Sequence, residues 1–235
     1  MGLLVKMKQN AGTNSGKPTE ERWKGRKRHA IVLAVMSIPV LLLALMLMPP
    51  SMPDLSESAE HERQFLFESW TEGDSIVILR HLERCDRADV PCLFGKDGLT
   101  ARSTLVASEL SDDFFQLGLG NADIYNSPLP RTDQTADLLF STRSTDKQWL
   151  YDCRKEDTLL RDALSSKKPG RNLVLITHST CIARFEDDLG FSSDIPEYGT
   201  AIFLSAEPRP KALRLLGFVD AEDWDRVFHF SRLSY

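Results

Sequence analysis

Residues 74–86 read DSIVILRHLERCD, and this stretch determines the fold class to which the chain is assigned. Its first half, 75–79, is an apolar run rich in β-branched residues, which is typical of a strand buried on both faces of a sheet. Arg80, His81 and Arg84 then follow at the carboxyl end of that strand, where open α/β sheets bind ligands. These cationic side chains predict an anion-binding pocket, with phosphate as the expected anion. A solvated, salt-bridged loop is the alternative that this stretch alone leaves open.

Charge is divided unevenly along the 235 residues. Residues 1–29 contain eight Lys or Arg against two Glu and so carry +6, while the whole chain carries −5 and the remainder therefore −11. Nucleic-acid affinity is dominated by neutralisation of backbone phosphates, so an acidic domain is a poor candidate for that partner. Any phosphate is expected to be met in a local basic pocket.

Residues 30–48 contain nineteen residues without a charge, close to the ~20 that a helix needs to cross a bilayer. Pro39 would kink such a helix without excluding a span. The basic run 26–28 directly precedes it, which predicts that the tail 1–29 is cytoplasmic. A cleaved signal peptide is the alternative, but no small-x-small cleavage site follows the segment. We therefore expect a single-pass inner-membrane anchor with the rest of the chain in the periplasm.

The remaining chain is expected to form a linker, 49–72, and one domain, 73–235, which is long enough for a sizeable core. The apolar patch 65–67 near the end of the linker predicts a helical turn or two that packs on the domain. Strand-like and helix-like patterns alternate in the domain, which predicts an α/β fold with a mostly parallel sheet and helices on both faces. The predicted strands are 75–79, 122–126, 148–152, 172–178, 200–206 and 212–219, and the predicted helices include 101–117, 157–166 and 182–189.

Three of the predicted strands lead into a histidine or an arginine. Arg80 and His81 follow the first strand, Arg131 begins the helix after the second, and His178 closes the fourth. Each residue alone is compatible with a structural role. Together they predict one pocket, because the carboxyl ends of parallel strands open onto the same crevice.

These segments resemble the signature of the histidine phosphatase superfamily, also called the phosphoglycerate mutase-like group. RHL at 80–82 resembles its Arg-His-Gly motif with Leu82 in the place of glycine, and SPLPRTDQTA at 127–136 resembles its Ser-Pro-x-x-Arg-x-x-x-Thr-Ala segment. His178 resembles its second histidine. The resemblance covers residues 74–219 and implies a three-layer α/β/α sandwich of the phosphoglycerate mutase type that acts as a phosphoric monoester hydrolase.

Within the superfamily, the chain resembles the lipopolysaccharide core heptose(II)-phosphate phosphatase family. The shared features are the pattern RHxERCDR at 80–87, the Cys-Leu pair at 92–93, and the cysteines at 153 and 181. This resemblance implies a membrane or export segment, action in the periplasm, and a phosphorylated sugar of the lipopolysaccharide core as the substrate.

The four cysteines, Cys85, Cys92, Cys153 and Cys181, allow two disulfides with three possible pairings in an oxidising compartment. Zinc is the competing interpretation, but a spacing of seven between the first two fits a structural zinc site poorly. The family resemblance favours disulfides, and we expect Cys85 to pair with Cys92 and Cys153 with Cys181.

The resemblance also implies roles for the pocket residues. His81 would attack phosphorus to form a phosphohistidine that water then hydrolyses. Arg80, Arg84, Arg131 and a protonated His178 would surround the phosphoryl oxygens. No metal or cofactor is needed in this scheme.

The proton donor for the leaving group is expected to be Glu156, which matches the glutamate after the third strand in the mutase branch. Glu83 is a second candidate, although pairing with an arginine is the role favoured for it, and Ser179 occupies the place of the acid phosphatase aspartate. Two other functions stay open: a phosphatase of another periplasmic phosphoester, and a non-catalytic phosphate-binding domain.

Overall fold

The computed structural model describes residues 35, 37–39, 43, 48–141, 144–192, 195–208 and 211–228. The chain divides into two compact units, Met1–Met48 and Pro49–Tyr235. The predicted basic tail, 1–29, lies outside the described residues, and the predicted anchor, 30–48, is described at only a few positions. Among the described residues, no helix combines the length and the apolar character that crossing a bilayer requires.

The second unit alternates strands with helices, as the sequence predicts. Its helices are α1 (Glu60–Glu72), α2 (Ser103–Leu117), α3 (Pro130–Phe140), α4 (Trp149–Asp152), α5 (Leu159–Ser166), α6 (Ser179–Asp188) and α7 (Trp224–Phe228). Its strands are β1 (Ser75–Arg80), β2 (Ala122–Asn126), β3 (Ser144–Asp146), β4 (Asn172–Thr177), β5 (Ala201–Pro208) and β6 (Lys211–Val219).

The six strands form one sheet in the order β3-β2-β4-β1-β5-β6. Strands β3, β2, β4 and β1 pair in parallel, whereas β5 is antiparallel to both of its neighbours. All strands except β5 therefore run in the same direction. The prediction of a mostly parallel sheet is confirmed.

Strand β1 lies between β4 and β5 in the sheet and is buried on both faces. Val77 and Leu79 belong to one apolar cluster, which also contains side chains of α1, α2, α3 and α7. Ile76 and Ile78 belong to a second cluster with side chains of α4, α5 and α6. Helices therefore cover both faces of the sheet, and this gives the three layers that the sequence predicts.

The segment 49–72, which the sequence suggests is a linker, contributes buried side chains to the domain. Leu55, Leu66 and Trp70 belong to the first apolar cluster. The backbone nitrogen of Leu55 donates a hydrogen bond of 2.9 Å to the carbonyl oxygen of Phe218. A Cβ atom at Gly217 would lie 2.4 Å from the Pro53 carbonyl oxygen, so this close approach requires glycine.

The predicted third strand, 148–152, is wrong. Residues Trp149–Asp152 form helix α4, and the edge strand is instead Ser144–Asp146, which pairs with β2. The strand is three polar residues long and has no apolar pattern to reveal it. Leu150, an apolar residue of the predicted strand, lies in helix α4. Its side chain is fully buried and belongs to the second apolar cluster.

Candidate active site

The sheet register brings three strand ends together. Strands β1 and β4 are neighbours with Arg80 opposite Thr177, so the residues that follow, His81 and His178, leave the sheet side by side. Their ring centroids are 5.4 Å apart. Strand β2 lies on the other side of β4 and leads directly into Ser127. The two histidines and the segment that begins at Ser127 therefore share one crevice.

The protonation state of His81 follows from its contacts. Its Nδ1 atom lies 2.7 Å from the carbonyl oxygen of Leu82, and because a carbonyl can only accept, Nδ1 carries the proton. Burial lowers the pKa of His81 well below its usual value, and the neighbouring His178 and Arg131 lower it further. The ring is therefore neutral and its Nε2 atom keeps a lone pair, as a nucleophile requires.

Arg131 joins the two histidines. Its Nε donates to His81 Nε2 at 3.2 Å, and its Nη2 donates to His178 Nδ1 at 3.3 Å. His178 Nδ1 is thus an acceptor, so the proton resides on Nε2, which donates to Ser127 Oγ at 2.8 Å. Desolvation by burial, followed by the charge of Arg131, lowers the pKa of His178 to about 3. The protonated His178 that the sequence analysis expects is not the form that these surroundings favour; an anion beside it would raise its pKa.

The two motif segments are hydrogen-bonded to each other. Helix α3 begins with Pro130, which suits the first turn, and carries Arg131 in that turn. Thr135 accepts a hydrogen bond of 3.1 Å from the backbone nitrogen of Leu82 and donates one of 2.7 Å to the Arg131 carbonyl. Leu82, in the place of the superfamily glycine, is buried in the first apolar cluster. The loop after His81 is therefore fixed to the helix that presents Arg131.

Arg80 is held by the loop before β5. Its guanidinium lies 3.9 Å from the ring centroid of Tyr198, and its Nη1 donates to the Pro196 carbonyl. Its Nε atom is buried and has no hydrogen-bond partner among the described residues, so it is a donor that a phosphoryl oxygen could satisfy. Burial lowers the pKa of Arg80, and Tyr198 partly offsets this effect. Sequence reasoning missed Tyr198 because it belongs to no motif.

Arg84 is more exposed than the other predicted phosphate-binding residues and is already paired. Its Nε donates to Asp86 Oδ1 at 2.8 Å, and its Nη2 forms a second bond to the same carboxylate. About a quarter of the Arg84 side chain is exposed, 25%, whereas Arg80 and Arg131 are buried. Arg84 still acts on the pocket, because its charge lowers the pKa of Arg131 and of His178.

Both predicted disulfides are present, Cys85–Cys92 and Cys153–Cys181. The pairing expected from the resemblance is therefore confirmed, and these four sulfurs are not zinc ligands. In the described part of the chain, no group of three or more His, Cys, Asp or Glu side chains is arranged to hold a metal ion.

The second disulfide attaches a further cationic side chain to the pocket. Cys153 follows α4, and Cys181 lies in the first turn of α6, directly after His178. The Tyr151 ring lies edge-on to His178 with 6.2 Å between centroids, and the Arg154 guanidinium lies 3.5 Å from the Tyr151 centroid. Arg154 also lowers the pKa of His178. Sequence reasoning did not select Arg154; its position next to a disulfide cysteine was the available signal.

The two candidate acids have different surroundings. Glu83 accepts hydrogen bonds from Arg102 Nε at 2.6 Å and from Thr100 Oγ1 at 2.8 Å, and the Arg102 bond lowers its pKa. A carboxylate held in its charged form is poorly suited to donate a proton, so the favoured arginine-pairing role is the one that the structure supports. Glu156 is exposed in the turn after Arg154, and no described contact joins it to His81 or His178.

Several curated proteins are similar in sequence to this chain. The lipopolysaccharide core heptose(II)-phosphate phosphatase of Escherichia coli strain K12 is 32% identical over 134 residues. The same protein of E. coli O157:H7 matches to the same extent. The match covers 56% of this chain and 66% of the relative, so it spans just under two thirds of the relative's length. No protein-family model matches the chain.

This sequence similarity is consistent with the motifs, whose residues the structure brings together around Arg131. The chain is similar to these phosphatases, and its motif residues resemble the signature of the histidine phosphatase superfamily. Solved structures of similar shape include phosphoglycerate mutase from Bacillus anthracis, 13% identical with a TM-score of 0.47 over 68% of this chain and 99% of that one. Phosphoserine phosphatase from Entamoeba histolytica is 14% identical with a TM-score of 0.47 over 64% of this chain and 98% of that one. TM-scores this low mark a likeness too weak to support a conclusion about function.

Proposed function

We propose that this chain is a phosphomonoesterase that uses His81 as the nucleophile. The observation that carries the proposal is the geometry of the His81 ring. Its Nδ1 proton is committed to the Leu82 carbonyl, while its Nε2 lone pair faces the guanidinium of Arg131. A phosphoryl group bound to Arg131 would therefore meet the unprotonated nitrogen.

The proposed reaction has two displacements at phosphorus. In the first, a bond forms between His81 Nε2 and phosphorus, the bond from phosphorus to the sugar oxygen breaks, and an acid protonates that oxygen. In the second, water attacks phosphorus, the bond to Nε2 breaks, and inorganic phosphate leaves. Uncatalysed phosphomonoester hydrolysis is among the slowest biological reactions, so charge on the transferring group must be strongly stabilised.

Arg80 and Arg131 are the residues proposed to supply that stabilisation, assisted by Arg84. Both are buried, which strengthens their interaction with an anion relative to the same contact in water. Once the phosphate is bound, its negative charge raises the pKa of His178, so that this ring also contributes as a cation. Glu156 is proposed as the acid, on the superfamily resemblance and on its place in the turn next to Arg154.

The proposed substrate is a phosphorylated heptose of the lipopolysaccharide core, and the proposed location of the domain is the periplasm. The name of the curated relatives supports the substrate. Two disulfides support an oxidising compartment. The uncharged segment 30–48 behind a basic run supports a single-pass inner-membrane anchor, which would keep the enzyme near a lipid-linked substrate.

Phosphate release from purified core oligosaccharide bearing a phosphoheptose tests the proposal. We expect release by the wild-type protein and by His61→Ala, a control in which an exposed histidine of α1 is removed. We expect no release by His81→Ala. Turnover of small phosphoesters without turnover of the core would contradict the substrate. Phosphate binding without turnover of any ester would instead identify a non-catalytic phosphate-binding domain.

A further inference from the structure

Arg154 is a pocket arginine to which the proposed reaction gives no role. It belongs to neither motif segment, since it lies in the turn between α4 and α5. Its charge nevertheless lowers the pKa of His178, with an effect ranked after that of Arg131 and ahead of those of Arg84 and Arg80. The charge of Arg154 therefore influences the part of the pocket around His178.

The position of the Arg154 side chain is fixed by several contacts. Its guanidinium stacks on Tyr151 at 3.5 Å, and its Nε donates to the Tyr151 carbonyl at 3.0 Å. The Cys153–Cys181 disulfide joins this turn to α6, which begins directly after His178. The side chain is only partly buried, so a solute can reach it. A guanidinium held in this way loses little conformational entropy when it binds an anion.

Two carboxylates that act on pocket arginines act on residues other than Arg154. Asp86 forms a salt bridge with Arg84, and the charge of Glu197 raises the pKa of Arg80. Among the described residues, the Arg154 side chain forms no salt bridge, and its one hydrogen bond is donated by Nε to the Tyr151 carbonyl. Its two terminal nitrogens therefore offer an unused pair of donors of the kind that binds a phosphate or a carboxylate.

We propose that Arg154 binds a second anionic group of the substrate, while Arg80, Arg84 and Arg131 hold the phosphate that is removed. The preferred substrate class is then a sugar phosphate that carries a further phosphate or carboxylate on the same molecule. This inference rests on the proposed function, and it adds the chemical class of the substrate to it.

Three sugars on one scaffold provide the test: glucose 1-phosphate, glucose 1,6-bisphosphate and glucuronic acid 1-phosphate. The quantity to compare is the ratio of kcat/KM for each doubly anionic sugar to that for glucose 1-phosphate. The ratio is measured within one variant, so partial loss of folded protein cancels. In Arg154→Gln we expect the ratio to fall about tenfold to a hundredfold for at least one doubly anionic sugar, the usual range for hydrogen bonds between charged groups.

Two further variants separate binding from general electrostatics. Arg154→Lys keeps the charge near His178 and should restore part of the ratio, whereas Arg161→Gln, at an exposed arginine paired with Asp162, should leave it unchanged. An unchanged ratio in Arg154→Gln would overturn the inference, even if all three rates fell together. Which doubly anionic sugar responds identifies the second group as phosphate or carboxylate.

Calorimetric binding of the same sugars to His81→Ala and to His81→Ala/Arg154→Gln makes the inference independent of turnover. If the wild-type protein hydrolyses none of them, but Arg154 is needed for tighter binding of a doubly anionic sugar, the inference stands and the proposed function fails. If the wild-type protein hydrolyses the sugars, but Arg154→Gln changes neither kcat/KM ratio, the proposed function stands and the inference fails.

Discussion

His81 and His178 are both buried among arginines, and their proton positions are determined by neighbours that can only accept or only donate. The Leu82 carbonyl fixes the tautomer of His81, and Arg131 fixes that of His178. The sequence predicts which residues occupy the pocket, because these residues belong to the motifs. It does not predict their protonation, because desolvation depends on packing from elements distant in the chain.

The pKa of His178 gives a prediction for the pH dependence of stability. Its pKa is about 3 in the folded chain and ordinarily 6.5, so below pH 6.5 the unfolded state takes up a proton that the folded state refuses. His178 therefore makes the free energy of unfolding fall with decreasing pH, by at most about 1.4 kcal/mol per unit, until about pH 3. His178→Asn should show a shallower fall between pH 6.5 and 4 in urea unfolding. An identical slope in wild type and variant would contradict the assigned burial, and His61→Asn serves as the exposed control.

Glu156 can be tested through the leaving group. A sugar alkoxide needs a proton to leave, whereas p-nitrophenolate does not, so Glu156→Gln should lower kcat about 10²–10⁴-fold for a sugar phosphate and only slightly for p-nitrophenyl phosphate. Glu83→Gln is the matched control, because Glu83 is paired with Arg102, and its loss should not distinguish the two leaving groups. Equal losses on both esters in Glu156→Gln would remove it as the acid.

At the scale of elements, the site is a consequence of strand order. Because β4 lies between β1 and β2, the residues that follow these strands converge although they are far apart in sequence. The apolar runs at β1 and β4 are strong enough for sequence reasoning to find both strands. Sequence reasoning did not find β3, because that strand is short and polar. It assigned the apolar side chains of α4 to a strand, because a helix of one turn is too short to show a helical periodicity.

The two disulfides should differ in their contribution to stability. In the loop-entropy model, closing a loop of 28 residues contributes about 3.6 kcal/mol, and closing one of seven contributes about 2.4 kcal/mol. Replacing both Cys153 and Cys181 with Ala should therefore lower the free energy of unfolding by more than the same change at Cys85 and Cys92. Denaturant unfolding of the two double variants measures this difference. A larger loss at Cys85 and Cys92 would contradict the prediction.

At the scale of the whole molecule, the folded unit that contains the candidate site includes chain before the first strand. Leu55, Leu66 and Trp70 are buried in the first apolar cluster, and each contributes about 1.5–3 kcal/mol by burial. A protein beginning at residue 73 should lose most of a typical domain stability of about 5–15 kcal/mol, whereas one beginning at residue 49 should unfold cooperatively. Thermal unfolding followed by circular dichroism compares them. Equal melting temperatures would show that the segment 49–72 is dispensable.

The sequence predicts the layers, the mostly parallel sheet and the residues that meet in the crevice, since these depend on local patterns and on motifs. It predicts a helical turn or two around residues 65–67 but not the full length of α1, whose apolar residues show little helical periodicity. Nor does it identify Tyr198 or Arg154, which reach the pocket from loops. The residues that hold the motif side chains in place are visible only in three dimensions.

Transfer of a phosphoryl group to His81 is tested most directly by trapping of the phosphoenzyme. The protein is mixed with a phosphoester, quenched during turnover in alkaline detergent, which preserves a phosphohistidine, and measured by intact mass spectrometry. We predict a mass increase of one phosphoryl group in wild type and in His61→Ala, lost after acid treatment, and no increase in His81→Ala. Turnover by wild type without a trapped phosphoryl group, or an equal increase in His81→Ala, would contradict the account.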